Sequence, residues 1–255
     1  MVIHFFQCYF WNSWHSDGSL VVGVFYYGWE PVILGMPIYS CRRKNKNILF
    51  LHVPKCGGGS VEKFFRDNGF IEELRCIDHR LRSYRCSPQH WHAELLAPLI
   101  NVDSFDYIFS VVRNPIHRLV SEYKWKVAHP WASAGIDDWY IRCRDAYKEN
   151  QYIFDNHFRP QVEFLLPSAK VFLLENGLQF FVETISASLG VEFDISVISN
   201  QKDCAHDRRT DGNPELSRRL IDCYPSEKTR RLIYKDYRKD FEFLDGFKKS
   251  SILDF

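Results

Sequence analysis

The sequence predicts a single α/β domain in which a central parallel sheet is covered by helices on both faces. Three units support this prediction, because in each an apolar strand leads through a turn into an amphipathic helix. The predicted strands are residues 48–53, 107–112 and 169–175. Each is a nearly continuous apolar run, which is typical of a parallel strand buried on both faces.

A helix is predicted after each strand. The first helix ends at Asn68-Gly69, a typical C-terminal signal, and the second begins at Pro115, where the missing N–H of proline is tolerated. The predicted helices are residues 60–68, 115–127, 177–189 and one within 225–244, and residues 137–166 are predicted to be mostly helical. No linker and no internal repeat interrupts this order, which favours one domain.

Residues 1–35 differ in composition from the rest of the chain. They are rich in aromatic residues and lack the basic start of a signal peptide. Their most apolar part, residues 20–29, is too short to span a bilayer. We therefore predict that residues 36–255 form the functional domain. Residues 1–35 are interpreted as an added hairpin, a membrane-touching segment or translation upstream of the true start.

The overall charge excludes a general attraction to polyanions. The formal net charge is +1, so nothing in the composition indicates a nucleic-acid partner or binding to an acidic membrane surface. Membrane contact is expected only through residues 1–35. Since the chain has no Asn-x-Ser/Thr sequon and no signal peptide, we predict a cytoplasmic location, with membrane association as the alternative.

The eight cysteines do not predict a metal site. No pair has a CxxC spacing, and none lies in a Cys/His array suited to zinc. We therefore expect no metal.

The turn after the first strand has the features of an anion site. Lys55 precedes three glycines, Gly57, Gly58 and Gly59, and Ser60 closes the turn at the start of the predicted helix. Free N–H groups at a helix N-terminus bind phosphate, and glycines let an anion approach the backbone. It is not a Walker A loop, because the lysine comes before the glycines.

This order, Pro-Lys-x-Gly-Gly-x-Ser, resembles the 5′-phosphosulfate loop of sulfotransferases that use 3′-phosphoadenosine 5′-phosphosulfate (PAPS). The closest resemblance is to the carbohydrate sulfotransferases, whose loop commonly reads Pro-Lys-Thr-Gly-Gly-Thr-Ser. Cys56 and Gly59 stand where that loop has threonines. Both exchanges leave the backbone N–H groups available but remove hydroxyls. The resemblance implies a sulfotransferase fold of P-loop type, and Lys55 and residues 56–60 as donor contacts.

A second anion site follows the second strand. Arg113 lies at the carboxyl end of that strand, where ligands bind in open α/β sheets, and Ser121 follows eight residues later. This pattern resembles the 3′-phosphate motif of the same family, so the resemblance implies that Arg113 and Ser121 bind the 3′-phosphate. Arg118 is interpreted either as a further contact or as a surface residue.

Two histidines between these motifs are candidates for the base. His90 and His92 are two residues apart, so in an extended segment they would point the same way. The pair resembles the His-x-His of uronyl 2-O-sulfotransferases, which implies that one of them takes the proton of the acceptor hydroxyl. We favour His90 as base and His92 as helper in acceptor binding over the reverse, with Lys55 stabilising charge on the leaving phosphate.

Other polar residues are weaker candidates for substrate contacts. Arg159 and Gln161, in a block that also resembles these enzymes, are either contacts to donor or acceptor or parts of a capped helix. Three arginines either hold an anionic sugar or are solvated surface residues: Arg80, Arg82 and Arg85.

The sequence thus predicts transfer of a sulfuryl group from PAPS to a hydroxyl of a carbohydrate or polysaccharide, as in polysaccharide biosynthesis. A kinase-like phosphotransferase is disfavoured by the order of the loop and by the Arg113/Ser121 site, which ATP would leave unused. A third alternative is a protein of the same fold that binds a sulfated glycan or a nucleotide without catalysis.

Overall fold

A computed structural model of the chain describes residues 8–14, 20–26, 38–42, 44–73, 85–195, 214–221, 223–248 and 252–254. The chain divides into two compact units, Met1–Leu34 and Gly35–Phe255. The first unit contains an antiparallel pair, β1 (Cys8–Trp14) and β2 (Leu20–Tyr26). The boundary between the two units lies close to the predicted domain boundary at residue 36. The interpretations of residues 1–35 stay predictions.

The second unit contains a mixed six-stranded sheet in the order β5-β3-β4-β6-β7-β8. Its central pairs, β4–β6 and β6–β7, are parallel, and the outer pairs are antiparallel. The strands are β3 (Ile38–Cys41), β4 (Lys46–Leu51), β5 (Ile71–Glu72), β6 (Tyr107–Val112), β7 (Lys170–Leu173) and β8 (Ile252–Asp254). The predicted α/β fold is confirmed, whereas the antiparallel outer strands were not predicted.

Helices flank this sheet in the described part of the chain. The longer ones are α1 (Gly58–Asp67), α3 (Pro115–Trp125), α4 (Ile136–Glu149), α6 (Leu178–Leu189), α7 (Pro214–Ile221), α8 (Glu227–Asp236) and α9 (Arg238–Leu244). The short ones are α2 (Ala93–Leu96) and α5 (Ile153–Asn156), and α5 is a single turn whose last three residues have left-handed backbone. None of these helices has the length and apolarity that a membrane crossing requires.

Alternation along the central strands explains the helices on both faces. Phe50 and Phe109 belong to a buried cluster with residues of α1 and α6. Leu49 and Leu51 point the other way and pack with Leu96 of α2. Because both sets are apolar, the strand reads as a continuous hydrophobic run, as predicted.

Two predicted boundaries differ from the structure. β4 ends at Leu51, where its pairing with β6 ends, so His52 lies beyond the strand rather than within it. The helix predicted within residues 225–244 is divided at Tyr237 into α8 and α9. Tyr237 is buried and its hydroxyl donates to the carbonyl of Phe158, so a tertiary contact accompanies the division.

Arg118 is neither a surface residue nor an exposed contact, because its side chain is only 1% exposed. Its guanidinium donates to three backbone carbonyls, those of Pro54 at 3.0 Å, Arg159 at 2.8 Å and His157 at 2.7 Å. The planar fork of arginine suits such multiple donation. Arg118 therefore joins helix α3 to the loop after β4 and to the segment before Gln161.

We expect Arg118→Met to lower the free energy of unfolding by about 3–5 kcal/mol, because three buried carbonyls lose their donor. Arg118→Lys should recover only part of this loss, since one ammonium cannot reproduce the fork. Denaturant unfolding measures both values. Arg142→Met, at an exposed position of α4, is the control and should change stability by less than about 0.5 kcal/mol. Equal effects at the two positions would contradict the assignment.

Candidate active site

The loop of residues 54–59, called here the glycine loop, joins β4 to α1. Lys55 and Gly57 have positive φ values of 66° and 84°, so the chain turns sharply before the helix begins at Gly58. Within the described part of the chain, the N–H groups of Gly57, Gly58 and Gly59 have no hydrogen-bond acceptor. The loop therefore presents backbone donors at a helix N-terminus, the arrangement that binds phosphate.

Gly58 is required by a close contact with His52. A Cβ on Gly58 would lie 2.0 Å from Nε2 of His52, whereas a Cβ on Gly59 would meet nothing within 4 Å. His52 is buried, and its Nδ1 lies 2.7 Å from Oε1 of Glu62. Burial raises the pKa of Glu62, but His52 and the amide of Gln89 outweigh burial and lower that pKa to about 2.

The thiol of Cys56 points into the protein rather than into the glycine loop. Cys56 is 1% exposed, and its Sγ lies 3.1 Å from Oε1 of Gln161. Burial raises the pKa of this thiol to about 12, so it stays protonated. Cys56 can contact a ligand only through its backbone, which limits the predicted role of this residue.

Gln161 holds the backbone of Arg113. Its Oε1 accepts from the Arg113 N–H at 2.8 Å, and its Nε2 donates to the Arg113 carbonyl at 2.7 Å. Asp240 accepts from the Gln161 N–H at 2.9 Å. Because these partners occupy its polar atoms and Gln161 is 1% exposed, the structure favours a structural role over the predicted ligand contact.

The side chain of Arg113 stands at the carboxyl end of β6. Its Nε is buried and lacks a hydrogen-bond partner among the described residues, although Glu175 lies 3.7 Å away. A guanidinium with unused donors is suited to a phosphate dianion. Ser121 is half-buried on α3, the helix that begins directly after Arg113-Asn114.

Lys55 lies beside helix α3. Its Nζ is 4.4 Å from the ring centroid of Trp125, which is half exposed. The positive charge of Lys55 is also felt by Glu122. Burial raises the pKa of Glu122, but His157, Lys126 and Lys55 outweigh burial and lower it to about 2.

His90 ends a 3-10 turn, Pro88–His90, whereas Trp91 and His92 have extended backbone, so the extended condition considered for the pair holds only after His90. Nδ1 of His90 lies 2.8 Å from Oδ2 of Asp155 and 3.2 Å from Oγ of Ser87. Burial raises the pKa of Asp155, but the hydrogen bond and charge of His90, the charge of His157 and the Ser87 N–H together outweigh burial and hold that pKa below its usual range. The ionised carboxylate therefore accepts a hydrogen bond from the Nδ1–H of His90, so the neutral ring has its lone pair on Nε2.

His92 has a different environment. Its Nδ1 lies 3.3 Å from Nδ2 of Asn156, and the orientation of this amide is fixed because Nδ2 donates to the His90 carbonyl and Oδ1 accepts from Arg159. Nδ1 of His92 is thus an acceptor, and Nε2 lies 3.8 Å from Glu94. Burial and Arg159 lower the pKa of His92. These contacts favour a supporting role.

Two further histidines surround His90, and neither was predicted. The ring of His52 lies 5.0 Å and that of His157 lies 4.6 Å from the His90 ring, both edge-on. Nδ1 of His157 lies 2.7 Å from the buried Glu122. His157 is the first residue of the block that resembles the family, and this resemblance was the available signal for His157. Nothing in the sequence marked His52 or Asp155.

The histidine and carboxylate atoms are close enough to hold a metal ion. One ligand atom each from His90, Asp155 and His157 lie within 4.8 Å of one another. The His90–Asp155 and His157–Glu122 hydrogen bonds already engage these groups.

A cleft of about 560 Å³ lies near His92. Its lining includes Arg85, Glu94 and Tyr152, and the Tyr152 ring is 6.0 Å from the His92 ring. Arg85 is exposed and stacks over Tyr152, whereas Arg159 is 3% exposed and bound to Asn156 and Glu163. The predicted substrate arginines Arg80 and Arg82 lie outside the described residues.

The contact between Gly58 and His52 predicts different effects for two adjacent substitutions. We expect Gly58→Ala to lower the free energy of unfolding by about 1–3 kcal/mol, because its Cβ overlaps the His52 ring. Gly59→Ala should be neutral or stabilise by up to about 1 kcal/mol, since alanine favours the helix. Denaturant unfolding compares the two variants, and similar values would show that His52 moves away freely.

His129 predicts a pH dependence of stability. Burial and the charge of Lys126 lower its pKa to about 4, and its Nδ1 accepts from the Trp131 N–H. Because the folded pKa is depressed, this contribution is complete above pH 6.5 and is lost as the pH falls towards 4. His129→Asn keeps a hydrogen-bond acceptor but does not titrate. Across this pH window the free energy of unfolding of the variant should therefore fall by on the order of 1 kcal/mol less than that of the parent. Unfolding curves at pH 7 and 4.5 test this, and identical pH dependence would contradict it.

Comparison with known proteins gives one match. Residues 41–248 match the sequence model described as the Sulfotransferase family. Neither the curated proteins nor the solved structures that were compared include a significant match. Because the family match covers most of the chain, including the glycine loop, Arg113 and both histidines, the chain belongs to the sulfotransferase family and is a transferase of sulfuryl groups.

Proposed function

We propose that the chain transfers a sulfuryl group from PAPS to a hydroxyl of a carbohydrate acceptor, with His90 as general base. The observation that carries the proposal is the position of His52. It contacts Gly58 on one side and the His90 ring on the other, so the candidate base is one side chain away from the glycine loop.

The donor would be held at two ends. The N–H groups of residues 57–59 and the Lys55 ammonium bind the 5′-phosphosulfate, while Arg113 and Ser121 bind the 3′-phosphate. The glycine loop follows β4 and Arg113 follows β6, and these two strands are parallel neighbours. Both anchors therefore lie at the same edge of the sheet, as a ligand with two separated anionic groups requires.

The transfer step requires a base and a stabilised leaving group. Nε2 of His90 takes the acceptor proton as the acceptor oxygen bonds to sulfur, and the bond between sulfur and the bridging phosphate oxygen breaks. Lys55 and the loop N–H groups stabilise the negative charge on the departing phosphate. The nearby Trp125 ring and Glu122 keep Lys55 beside the loop before the donor binds.

The cleft beside His92 suits a sugar acceptor. The Tyr152 ring offers a face for the sugar, and Arg85, Asn150 and Gln151 offer hydrogen-bond donors. Arg85 also favours an anionic sugar, although Glu94 and Glu149 line the same cleft. A cytoplasmic location remains part of the proposal.

Binding of 3′-phosphoadenosine 5′-phosphate (PAP) tests the donor site. We expect calorimetry on the full chain to show binding that ATP does not compete, and we expect Lys55→Ala and Arg113→Ala each to weaken it at least tenfold, because each removes a charged contact. Lys63→Ala, which removes an α1 lysine paired with Asp67, is the control and should bind like the parent. A folded parent that does not bind PAP would overturn the proposed function.

His90→Ala separates an enzyme from a non-catalytic binder of the same fold. The variant should bind PAP like the parent but lose at least 100-fold in the rate of sulfuryl transfer from labelled PAPS to acceptor glycans. Unchanged transfer by a folded His90→Ala chain would exclude His90 as the base.

A further inference from the structure

Three consecutive residues that are not glycine have left-handed backbone conformations next to His90. They are Phe154 (φ 49°), Asp155 (φ 59°) and Asn156 (φ 69°), and we call them the left-handed turn. Such conformations are unfavourable for residues with a Cβ, and they persist where surrounding contacts hold them. The contacts of these three side chains therefore indicate which residues the left-handed turn positions.

Two of the side chains reach back to residues 87–92. Asp155 accepts from the Ser87 N–H at 2.5 Å, from the Ser87 hydroxyl at 2.7 Å and from Nδ1 of His90 at 2.8 Å. Asn156 is fully buried and donates to the His90 carbonyl at 2.8 Å. The backbone and the ring of His90 are thus fixed by adjacent residues of the same turn.

The third side chain anchors the turn from the opposite direction. The Phe154 ring packs edge-on against His129 at 5.4 Å and Trp131 at 5.6 Å, and Nζ of Lys126 lies 5.0 Å from its centroid. Because Phe154 is held by aromatic packing and Asn156 by buried hydrogen bonds, Asp155 between them has little freedom to move.

We propose that Asp155 is the positioning residue of the base: it holds His90 in the tautomer with the proton on Nδ1, so that Nε2 faces the acceptor hydroxyl. This inference rests on the proposed function and adds a residue to it. When Nε2 takes the acceptor proton, the electron pair of the acceptor O–H bond forms the new bond to sulfur, and the leaving phosphate keeps the pair of the broken bond. The ionised Asp155 stabilises the imidazolium, which returns its proton to solvent after transfer.

The charged groups around His90 all influence how the transfer rate depends on pH. Asp155 faces His90 from the left-handed turn. His52, which directly follows β4, faces it together with Glu62 of α1. His157, which follows the left-handed turn, faces it together with Glu122 of α3. Removal of the Asp155 charge leaves the other two pairs in place. A change confined to Asp155 variants is therefore attributable to the carboxylate.

The test compares Asp155→Asn and Asp155→Gly in the full chain. Asparagine keeps the shape without the charge, and glycine adopts φ 59° readily, so at least one variant should fold. We expect kcat for transfer to fall at least 100-fold in both, while the Kd for PAP changes less than threefold. The acidic limb of the kcat profile should move to lower pH, because the imidazolium loses its partner. A purely structural role would not produce this combination.

Nitrogen-15 NMR of labelled histidines gives a readout that needs no activity. With His90→Gln used to assign the signal, the parent should show a proton on Nδ1 of His90, and Asp155→Asn should lose this preference. A parent with the proton on Nε2, or a folded Asp155→Asn chain with kcat within threefold of the parent, would overturn the inference. Failure of the parent to bind PAP would instead overturn the proposed function.

Discussion

The buried guanidinium of Arg118 is the interaction on which the rest of the site depends. Its three hydrogen bonds bring the carbonyls of Pro54, His157 and Arg159 to one point. Pro54 belongs to the glycine loop, whereas His157 and Arg159 belong to the segment that directly follows α5. A buried carbonyl without a hydrogen-bond donor destabilises the fold. Each of these hydrogen bonds therefore fixes the position of one segment relative to the others. The glycine loop and the segment that holds His90 in place are therefore parts of one hydrogen-bonded unit.

Burial organises the charges of this unit into pairs. His52 lies against Glu62, His90 against Asp155 and His157 against Glu122, and Asp155 and Glu122 each accept a hydrogen bond from an imidazole that is largely shielded from water. An ionised carboxylate is tolerated at such a place only when donors surround it. In His90 and His157 the hydrogen bond places the proton on Nδ1, and in His90 this leaves Nε2 for the proposed proton transfer.

Close packing also connects the glycine loop to the histidines. Because Gly58 has no Cβ, the His52 ring can lie against it, and His52 in turn packs edge-on against His90. Gly59 has no comparable neighbour, so of the two adjacent glycines only Gly58 is required by a tertiary contact. The resemblance of the loop to a phosphosulfate site explains the need for backbone access, but the packing explains this particular glycine.

The sequence alone determined the strand–turn–helix units, the sheet-edge position of Lys55 and Arg113, and the family of the chain, because these depend on neighbours a few residues apart. The structure showed that the side chains of Arg118, Gln161 and Cys56 are buried and bound to other protein groups. It also distinguished His90 from His92, through Asp155 and Asn156, more than sixty residues away along the chain. No periodicity or spacing encodes that pairing. It arises because Arg118 and the left-handed turn hold distant segments together at one edge of the sheet, where hydrogen bonds and neighbouring charges outweigh burial and keep the carboxylates ionised.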